Sequence, residues 1–257
     1  MDKLLQLSNE MNIELTPEML SDFDSYYHML IEKNKVMNLT AITEKDEVIL
    51  KHFVDSISVA AAVPEFRTVL GLRDTPTAET AAGSVKSKKP ARILDVGTGA
   101  GFPGIPLKIA FPETDITLLD SLNKRVLFLQ EVTDSLGLKK ITAIHDRAED
   151  AARKPELRGR FEIVVSRAVA ALPVLAEYTL PFLKEGGYLI CYKTPEAEKE
   201  LEEAAHAISV LGGGKSSIYE YTLPGTDITR SFIVIKKIKA TPKAYPRKAG
   251  TAKKNPL

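Results

Sequence analysis

Apolar residues recur at helical spacing over the first sixty positions of the chain. Thr16, Pro17 and Glu18 supply an N-cap, a proline at the first helical position and an early acid. Two apolar stripes with intervals of three and four residues follow: Met19, Leu20, Phe23, Tyr26, Tyr27, Leu30 and Ile31, then Val48, Ile49, Phe53 and Ile57. The pattern predicts amphipathic helices in an N-terminal helical subdomain, residues 1–66, which packs against the rest of the chain.

Residues 67–90 break this periodicity. They mix small, polar and charged side chains, including Thr75-Pro76-Thr77 and Lys88-Lys89-Pro90. Such a composition is typical of a segment that buries little apolar surface. We therefore expect a flexible insertion or linker here.

Strand and helix patterns alternate over residues 91–240. Strands are predicted at 92–96, 115–120, 141–144, 161–166, 188–193, 217–223 and 230–236, with helices from about 124 to 136, 173 to 183 and 196 to 211. Gly137 is a helix-ending glycine, and Gly186-Gly187 are expected to end the next helix. Pro224-Gly225 is too short a connection for a parallel crossover. The pattern predicts an α/β fold with a mostly parallel sheet, helices on both faces and an antiparallel C-terminal hairpin.

Composition and charge limit the cellular compartment and the partners that the sequence is suited to. The 257 residues contain one cysteine, Cys191, so an internal disulfide and a cysteine zinc cluster are both excluded. The N-terminus lacks a basic region followed by an apolar run, and no stretch approaches the length of a membrane span. We expect a cytoplasmic protein. Residues 228–257 hold nine Lys or Arg and no Asp or Glu, and they end in a basic tail, residues 241–257. This tail is either a solvated end or, as we prefer, a contact for phosphates.

A glycine-rich turn follows the first predicted strand, at Asp95-Val96-Gly97-Thr98-Gly99-Ala100-Gly101-Phe102-Pro103-Gly104. Glycines at this place let the backbone approach a nucleotide-like ligand closely, although a tight structural turn is the plain alternative. The turn satisfies both the dinucleotide pattern G-x-G-x-x-G and the methyltransferase pattern D-x-G-x-G-x-G. Asp120, at the end of the second strand, suits the ribose hydroxyls in either class. The turn alone leaves both classes open.

Later segments favour methyl transfer. Asp146-Arg147-Ala148-Glu149 follows the third strand, where a methyltransferase would hold the adenine. The C-terminal hairpin matches the antiparallel strand that ends the methyltransferase sheet. Ser166-Arg167-Ala168 ends the fourth strand, where the methyl group would face its acceptor; an ordinary strand-end ion pair is the alternative.

The chain also lacks signs of other chemistries. No Asn-Pro-Pro-Tyr or Asp-Pro-Pro-Tyr loop follows the fourth strand, which disfavours adenine-N6 methylation. Cys191 lies in an apolar strand, where a thiol packs as a small hydrophobe rather than serving as the nucleophile of cytosine-C5 methylation. The four histidines show no metal-ligand spacing, so no metal is expected.

Read together, the motifs resemble the small-subunit ribosomal RNA methyltransferase G family, also called glucose-inhibited division protein B. The resemblance covers about residues 4–63 and 91–257. It is carried by Asn34 to Thr40, His52 to Ser56, Asp95 to Pro106, Leu119 to Arg125, Ser166 to Ala168 and Tyr245 to Thr251. The insertion at 67–90, and Ala252 where proline is expected, depart from the family pattern.

The resemblance implies transfer of a methyl group from S-adenosylmethionine to N7 of a guanine in a decoding-region stem-loop of 16S RNA, a class I Rossmann-like fold, and a substrate that is free RNA or the small ribosomal subunit. With the turn residue Gly99 and with Asp120, the expected cofactor-binding residues are Gly97, Gly99, Phe102, Asp120, Ala148, Glu149 and Arg167. Arg125, Lys193, Arg247 and Lys248 are the expected RNA-binding residues. No dedicated base is assigned, although Arg167 is a catalytic candidate, because N7 has a lone pair and no proton to lose.

We expect a monomer. Two other classes stay open at this point. A dinucleotide-dependent oxidoreductase would account for the glycine turn, and an RNA-binding protein without a cofactor would account for the basic tail.

Overall fold

The structure is a computed structural model that describes residues 1–72, 89–194 and 196–257. Within these ranges seven strands form one sheet in the order β3-β2-β1-β4-β5-β7-β6. They are β1 (Arg92–Val96), β2 (Asp115–Asp120), β3 (Ile141–His145), β4 (Phe161–Arg167), β5 (Leu183–Lys193), β6 (Gly213–Thr222) and β7 (Thr229–Lys237). The first five are parallel, and β7 pairs antiparallel with both β5 and β6. The predicted α/β fold with a mostly parallel sheet and an antiparallel hairpin is confirmed.

The helices flank this sheet and precede it. They are α1 (Asp2–Glu10), α2 (Pro17–Met37), α3 (Lys45–Val48), α4 (Asp55–Ile57), α5 (Val59–Ala62), α6 (Pro64–Leu70), α7 (Gly104–Ala110), α8 (Asn123–Ser135), α9 (Ala148–Ala151), α10 (Leu172–Thr179), α11 (Ala197–Glu203), α12 (Ala205–Val210) and α13 (Thr251–Lys254). A π-helical segment, Ile49–Val54, joins α3 to α4. The Thr16 hydroxyl accepts from Met19 N at 3.3 Å, so the predicted cap is confirmed. Among the described helices, none is both long and apolar enough to cross a membrane.

The glycine pair at 186–187 was interpreted wrongly. Helix α10 ends at Thr179, and strand β5 already begins at Leu183. Gly186 has a φ of +83°, and a Cβ on Gly187 would lie 2.8 Å from the carbonyl oxygen of Glu162. The glycines therefore allow an irregular strand start to approach β4, and they do not end the helix. The predicted helix over 196–211 is also interrupted, at Ala204.

The predicted start of the insertion at residue 67 was wrong. Helix α6 runs to Leu70 because Pro64 opens it and Phe66 is fully buried against the core. Residues 67–70 are therefore helical. Residues 73–88 of the predicted insertion lie outside the described residues.

The N-terminal helices share a hydrophobic core with one face of the sheet. A single cluster joins Phe23, Tyr26 and Phe53 from the helices to Tyr192 and Phe232 from β5 and β7. The Tyr192 hydroxyl also donates to the carbonyl of Ser56 at 2.7 Å. A second cluster on the other face covers the sheet with α10, α11 and α12. The predicted helical segment is thus built into the core of the main domain.

The order of the strands fixes where a ligand can bind. The chain runs outward from β1 to β3 and then crosses back to place β4 on the other side of β1. In open α/β sheets the ligand crevice lies beyond the carboxyl ends of the strands at this reversal. The residues that follow β1 and β4 are therefore the first place to look for a site.

Candidate functional site

The glycine turn after β1 is held tightly against the strand ends. Gly97 N donates to the Leu119 carbonyl at 2.8 Å. The Asp95 carboxylate accepts from the Thr98 hydroxyl at 2.7 Å and from Gly104 N at 2.8 Å through the same oxygen, Oδ2. Gly97 has a φ of +72°, and a Cβ there would lie 2.4 Å from a methyl group of Val169. Glycine is favoured at this position, because a side chain would be strained at this φ and would have to displace Val169.

Asp120 connects the glycine turn to the next helix. Its Oδ2 accepts from Gly99 N at 2.9 Å, and its Oδ1 accepts from Leu122 N at 2.9 Å. The carboxylate is only 3% exposed, and the Arg125 guanidinium lies 3.5 Å away. The strand end, the turn and the start of α8 are therefore fixed together by one buried negative charge.

A cavity of about 560 Å³ opens beside these groups. Its lining includes four of the residues predicted to bind the cofactor, Gly97, Asp120, Ala148 and Glu149, and also Arg125. Gly99 is not part of this lining, and its N–H donates to Asp120. This volume lies in the range of small-molecule binding sites. Acidic side chains at the ends of two strands could accept hydrogen bonds from the hydroxyls and the amine of a nucleoside. The residues present thus fit an adenosine-bearing ligand.

Arg167 and Phe102 lie elsewhere. Neither lines the larger cavity; the Arg167 guanidinium sits 5.2 Å from the Phe102 ring, whose other neighbours include His52, stacked at 4.5 Å. Arg167 also donates to Asp55 Oδ2 at 2.6 Å. These two predicted cofactor residues therefore lie where β4 and the glycine turn contact the N-terminal helices.

A second cavity of about 490 Å³ meets the first at Ala168. Its lining is mainly cationic and aromatic: Lys51, His52, Asp55, Arg167, Ala168, Tyr192, Lys193, Thr194, Glu200 and Arg230. Asp55 pairs with Arg167 through one oxygen and with Arg230 through the other, at 2.6 and 2.7 Å. Lys193, a predicted RNA contact, pairs with Glu200 at 2.6 Å. Four cations against two carboxylates leave this cavity positively charged.

Sequence reasoning missed Asp55 and Arg230. Asp55 lies inside a family motif at 52–56, and that motif was the available signal for it. Arg230 sits 175 residues further along the chain, in the hairpin, and nothing local marked it. Only the fold brings the two together.

Burial shifts the protonation of two groups near the cavities. Burial, reinforced by the Arg167 charge, lowers the pKa of His52 to about 4. Burial raises the pKa of Asp95 to about 6, against the hydrogen bonds from Thr98 and Gly104. At neutral pH the imidazole is therefore neutral and the carboxylate charged. In the described part of the chain, no group of three His, Cys, Asp or Glu side chains is placed to hold a metal ion.

The two predicted RNA contacts in the tail differ in their surroundings. Arg247 bonds to the buried carboxylate of Glu177, while Lys248 is exposed to solvent. Gly250 N, further along, donates to Glu149 Oε1 at 2.9 Å. The tail therefore reaches the larger cavity.

Comparison with known proteins identifies the family. The family model described as rRNA small subunit methyltransferase G matches residues 19–72 and 79–228, which is most of the chain. The chain belongs to the rRNA small subunit methyltransferase G family. Ribosomal RNA small subunit methyltransferase G of Lactobacillus johnsonii is 48% identical over 95% of this chain and 94% of its own length. The protein of the same name from Desulforamulus reducens is 48% identical over 99% of this chain and 97% of its own length.

Membership in the methyltransferase G family confirms three predictions. The first is the family itself. The second is the enzyme class, which is a methyltransferase of small-subunit ribosomal RNA, and the third is S-adenosylmethionine as the methyl donor. The oxidoreductase and the cofactor-free RNA-binding protein, left open by the glycine turn and the tail, are set aside by the same finding. The residue assignments stay predictions, to be weighed against the geometry.

Proposed function

We propose that this family member methylates N7 of a guanine in the decoding-region stem-loop of 16S ribosomal RNA. The observation that carries the proposal is the pair of cavities that meet at Ala168. One has acidic strand ends suited to a nucleoside, and the other is cationic and suited to RNA. A methyl group bound in the first would face an acceptor in the second.

The chain's residues divide between the two tasks. Gly97, Asp120, Ala148 and Glu149 would hold the donor. S-adenosylmethionine supplies, when bound, a methyl group on a positively charged sulfur. Arg230 and Lys193, in the second cavity, would attract the RNA backbone, since phosphate neutralisation by cations dominates affinity for nucleic acids. Lys248 on the exposed tail is a further phosphate contact under this proposal.

The choice of guanine N7 rests on the state of the possible bases. His52 is neutral at neutral pH, but its Nε2 lies 2.8 Å from the Thr40 hydroxyl and its ring is stacked on Phe102. Both oxygens of Asp55 are bonded to arginines. Glu200 accepts from Lys193 at 2.6 Å and from Leu172 N at 3.0 Å. The imidazole and both carboxylates of the second cavity are thus already engaged by the protein. An acceptor atom with a free lone pair and no proton to lose suits such a site, because positioning alone can supply much of the rate enhancement.

Arg167 acts in this scheme from the wall of the second cavity, next to Ala168, where the two cavities meet. Its contacts with Asp55 and Phe102 lock the guanidinium in place. We propose that it orients the acceptor, as a fixed charge that needs no reorganisation. We further propose that the protein works as a monomer in the cytoplasm, on free RNA or on the assembled subunit.

The test is methyl transfer with identification of the product. Ribosomal RNA and small subunits from cells that lack the modification are incubated with labelled S-adenosylmethionine, and the labelled nucleoside is identified by mass spectrometry. N7-methylguanosine in 16S RNA is the expected product. Another methylated nucleoside, or label only in the large-subunit RNA, would refute the assignment of atom or substrate.

A further inference from the structure

The basic tail is docked on the body of the protein. Arg158, which follows α9, donates to the carbonyls of Tyr245 and Thr241 at 2.9 and 2.8 Å. Arg153 donates to the carbonyl of Pro246. Ala252, in helix α13, is buried. Body arginines thus bind tail backbone oxygens, and the tail has a defined path rather than that of a solvated end.

One ion pair forms the strongest part of this docking. The Glu177 carboxylate on α10 is 1% exposed, and it accepts four hydrogen bonds from Arg247. Oε1 accepts from the backbone N at 2.6 Å and from Nε at 3.1 Å; Oε2 accepts from Nη2 at 2.6 Å and from Nε at 3.1 Å. A buried carboxylate is costly unless it is paired. Glu177 therefore favours the docked tail strongly over a detached one.

The docked tail forms part of the larger cavity's wall. Gly250 and Lys253 line the cavity beside Glu149, and Gly250 N donates to the Glu149 carboxylate. Tyr178, the neighbour of Glu177 on α10, lines the same wall, and burial together with the nearby Glu149 carboxylate raises the pKa of its hydroxyl. Two successive residues of α10 thus serve neighbouring parts of this region: Glu177 binds the tail through Arg247, and Tyr178 lines the cavity beside Glu149.

We propose that residues 245–254 complete the binding site of the methyl donor, with Arg247 and Glu177 as the positioning residues that hold this wall in place. The proposal rests on the larger cavity being the donor site. If the donor binds only when the tail is docked, its apparent dissociation constant rises in inverse proportion to the docked fraction. Linkage also works in reverse, so bound donor holds the tail in place.

This role differs from the RNA contact that the sequence suggests for Arg247. An arginine that served only as a phosphate contact would leave the affinity for the donor unchanged when no RNA is present. A positioning residue changes that affinity without RNA. The two roles are therefore separated by a measurement on the protein alone.

The experiment measures binding of S-adenosylhomocysteine to the full-length protein by calorimetry, without RNA. Arg247→Ala is expected to raise the dissociation constant about tenfold, as a fall of the docked fraction to about one tenth would do. Arg247→Lys keeps the positive charge but offers fewer hydrogen-bond donors, so its dissociation constant should lie between those of the unaltered protein and Arg247→Ala. Lys184→Ala is the matched control, because it breaks an ion pair of the same 2.6 Å length, with Glu162, away from the cavity. Its dissociation constant should stay within twofold of that of the unaltered protein.

Trypsin gives a second readout, because Lys248 and Lys253 are exposed in the tail. Saturating S-adenosylhomocysteine should slow cleavage after these lysines at least fivefold in the unaltered protein, and Arg247→Ala should speed it. Arg158→Met, which loosens the tail outside the cavity, replaces Arg247→Ala if the latter fails to fold, and it should weaken binding in the same direction.

Unchanged affinity in folded Arg247→Ala and Arg158→Met, with no ligand protection of the tail, would overturn the proposal. Absence of binding to the unaltered protein would instead overturn the donor site on which it rests.

Discussion

Replacing Asp120 with asparagine tests the central contact of the larger cavity. The two carboxylate oxygens each accept one backbone N–H, from Gly99 and from Leu122, both at 2.9 Å. An amide has the same shape but presents an NH₂ group in place of one oxygen. One of the two backbone groups must then face another donor. Since hydrogen bonds to charged groups contribute about 1.5–3 kcal/mol, we expect the free energy of unfolding to fall by about 2 kcal/mol.

The same substitution should weaken donor binding. If the carboxylate accepts a ribose hydroxyl, loss of the charged acceptor costs about 1.5–3 kcal/mol, which corresponds to a rise of roughly 10- to 150-fold in the dissociation constant. Calorimetric titration with S-adenosylhomocysteine measures this change, and urea unfolding measures the stability. The variant should be titrated at a temperature where it is fully folded.

Asp115→Asn is the matched control for Asp120→Asn. Asp115 begins the same strand at the opposite end, is 45% exposed, and lies 3.8 Å from Arg92. Its replacement should change stability by less than about 0.5 kcal/mol and leave binding within twofold. If folded Asp120→Asn bound the ligand as tightly as this control, the reasoning that places the donor's ribose at Asp120 would be refuted.

Three further predictions follow from groups already described. Arg230→Ala should lower kcat/KM for RNA methylation roughly 10- to 100-fold, because it removes a cation from the second cavity and leaves Asp55 with one partner. Calorimetry should show a dissociation constant for the donor within twofold of that of the unaltered protein. A larger change would contradict the assignment of the donor to one cavity and of the RNA to the other. The folded-state pKa of Asp95, about 6, lies above its unfolded value of 3.8, so the folded protein binds more protons between these pH values and the stability from this group falls as pH rises. Urea unfolding measured from pH 4 to pH 7 should therefore show that Asp95→Asn gains up to about 3 kcal/mol relative to the unaltered protein. A difference that stays constant with pH would argue against the raised pKa. Burial raises the pKa of the Cys191 thiol to about 12, so a thiol reagent at pH 8 should label it in urea but not in the folded protein, and rapid native labelling would show that the strand is open.

The strands were predictable because their signals are local. Strands β1 to β4 were placed within one residue at each end. Strands β1, β2 and β4 are largely buried and read as apolar runs with polar or glycine boundaries, whereas β3 is a partly exposed edge strand. The start of β5 was not predicted correctly. In sequence, a glycine that ends a helix looks the same as a glycine that allows the first residues of a strand to approach a neighbouring strand. The deciding partner, the carbonyl of Glu162, lies 25 residues away from Gly187.

The candidate site was predictable on the same terms. Gly97, Asp120, Ala148 and Glu149 lie at or just after the carboxyl ends of parallel strands, which must meet at one edge of the sheet. The ion pairs of the second cavity and of the tail were not predictable by this rule. Asp55 joins Arg167 across 112 residues, and Glu177 joins Arg247 across 70. Such pairs depend on how whole elements pack, and no spacing in the sequence encodes them.

The shared core of the N-terminal helices sets an order of events during synthesis. Tyr192 and Phe232, which contact each other, cover the apolar faces of helices that are made more than a hundred residues earlier. At 5–20 residues per second, the ribosome needs roughly 10 to 35 s to go from the end of those helices to Phe232. During that time the core around Phe23 and Phe53 lacks the side chains that β7 contributes to it. The core of the N-terminal helices is therefore completed only when β7, the last strand in the chain, has been made.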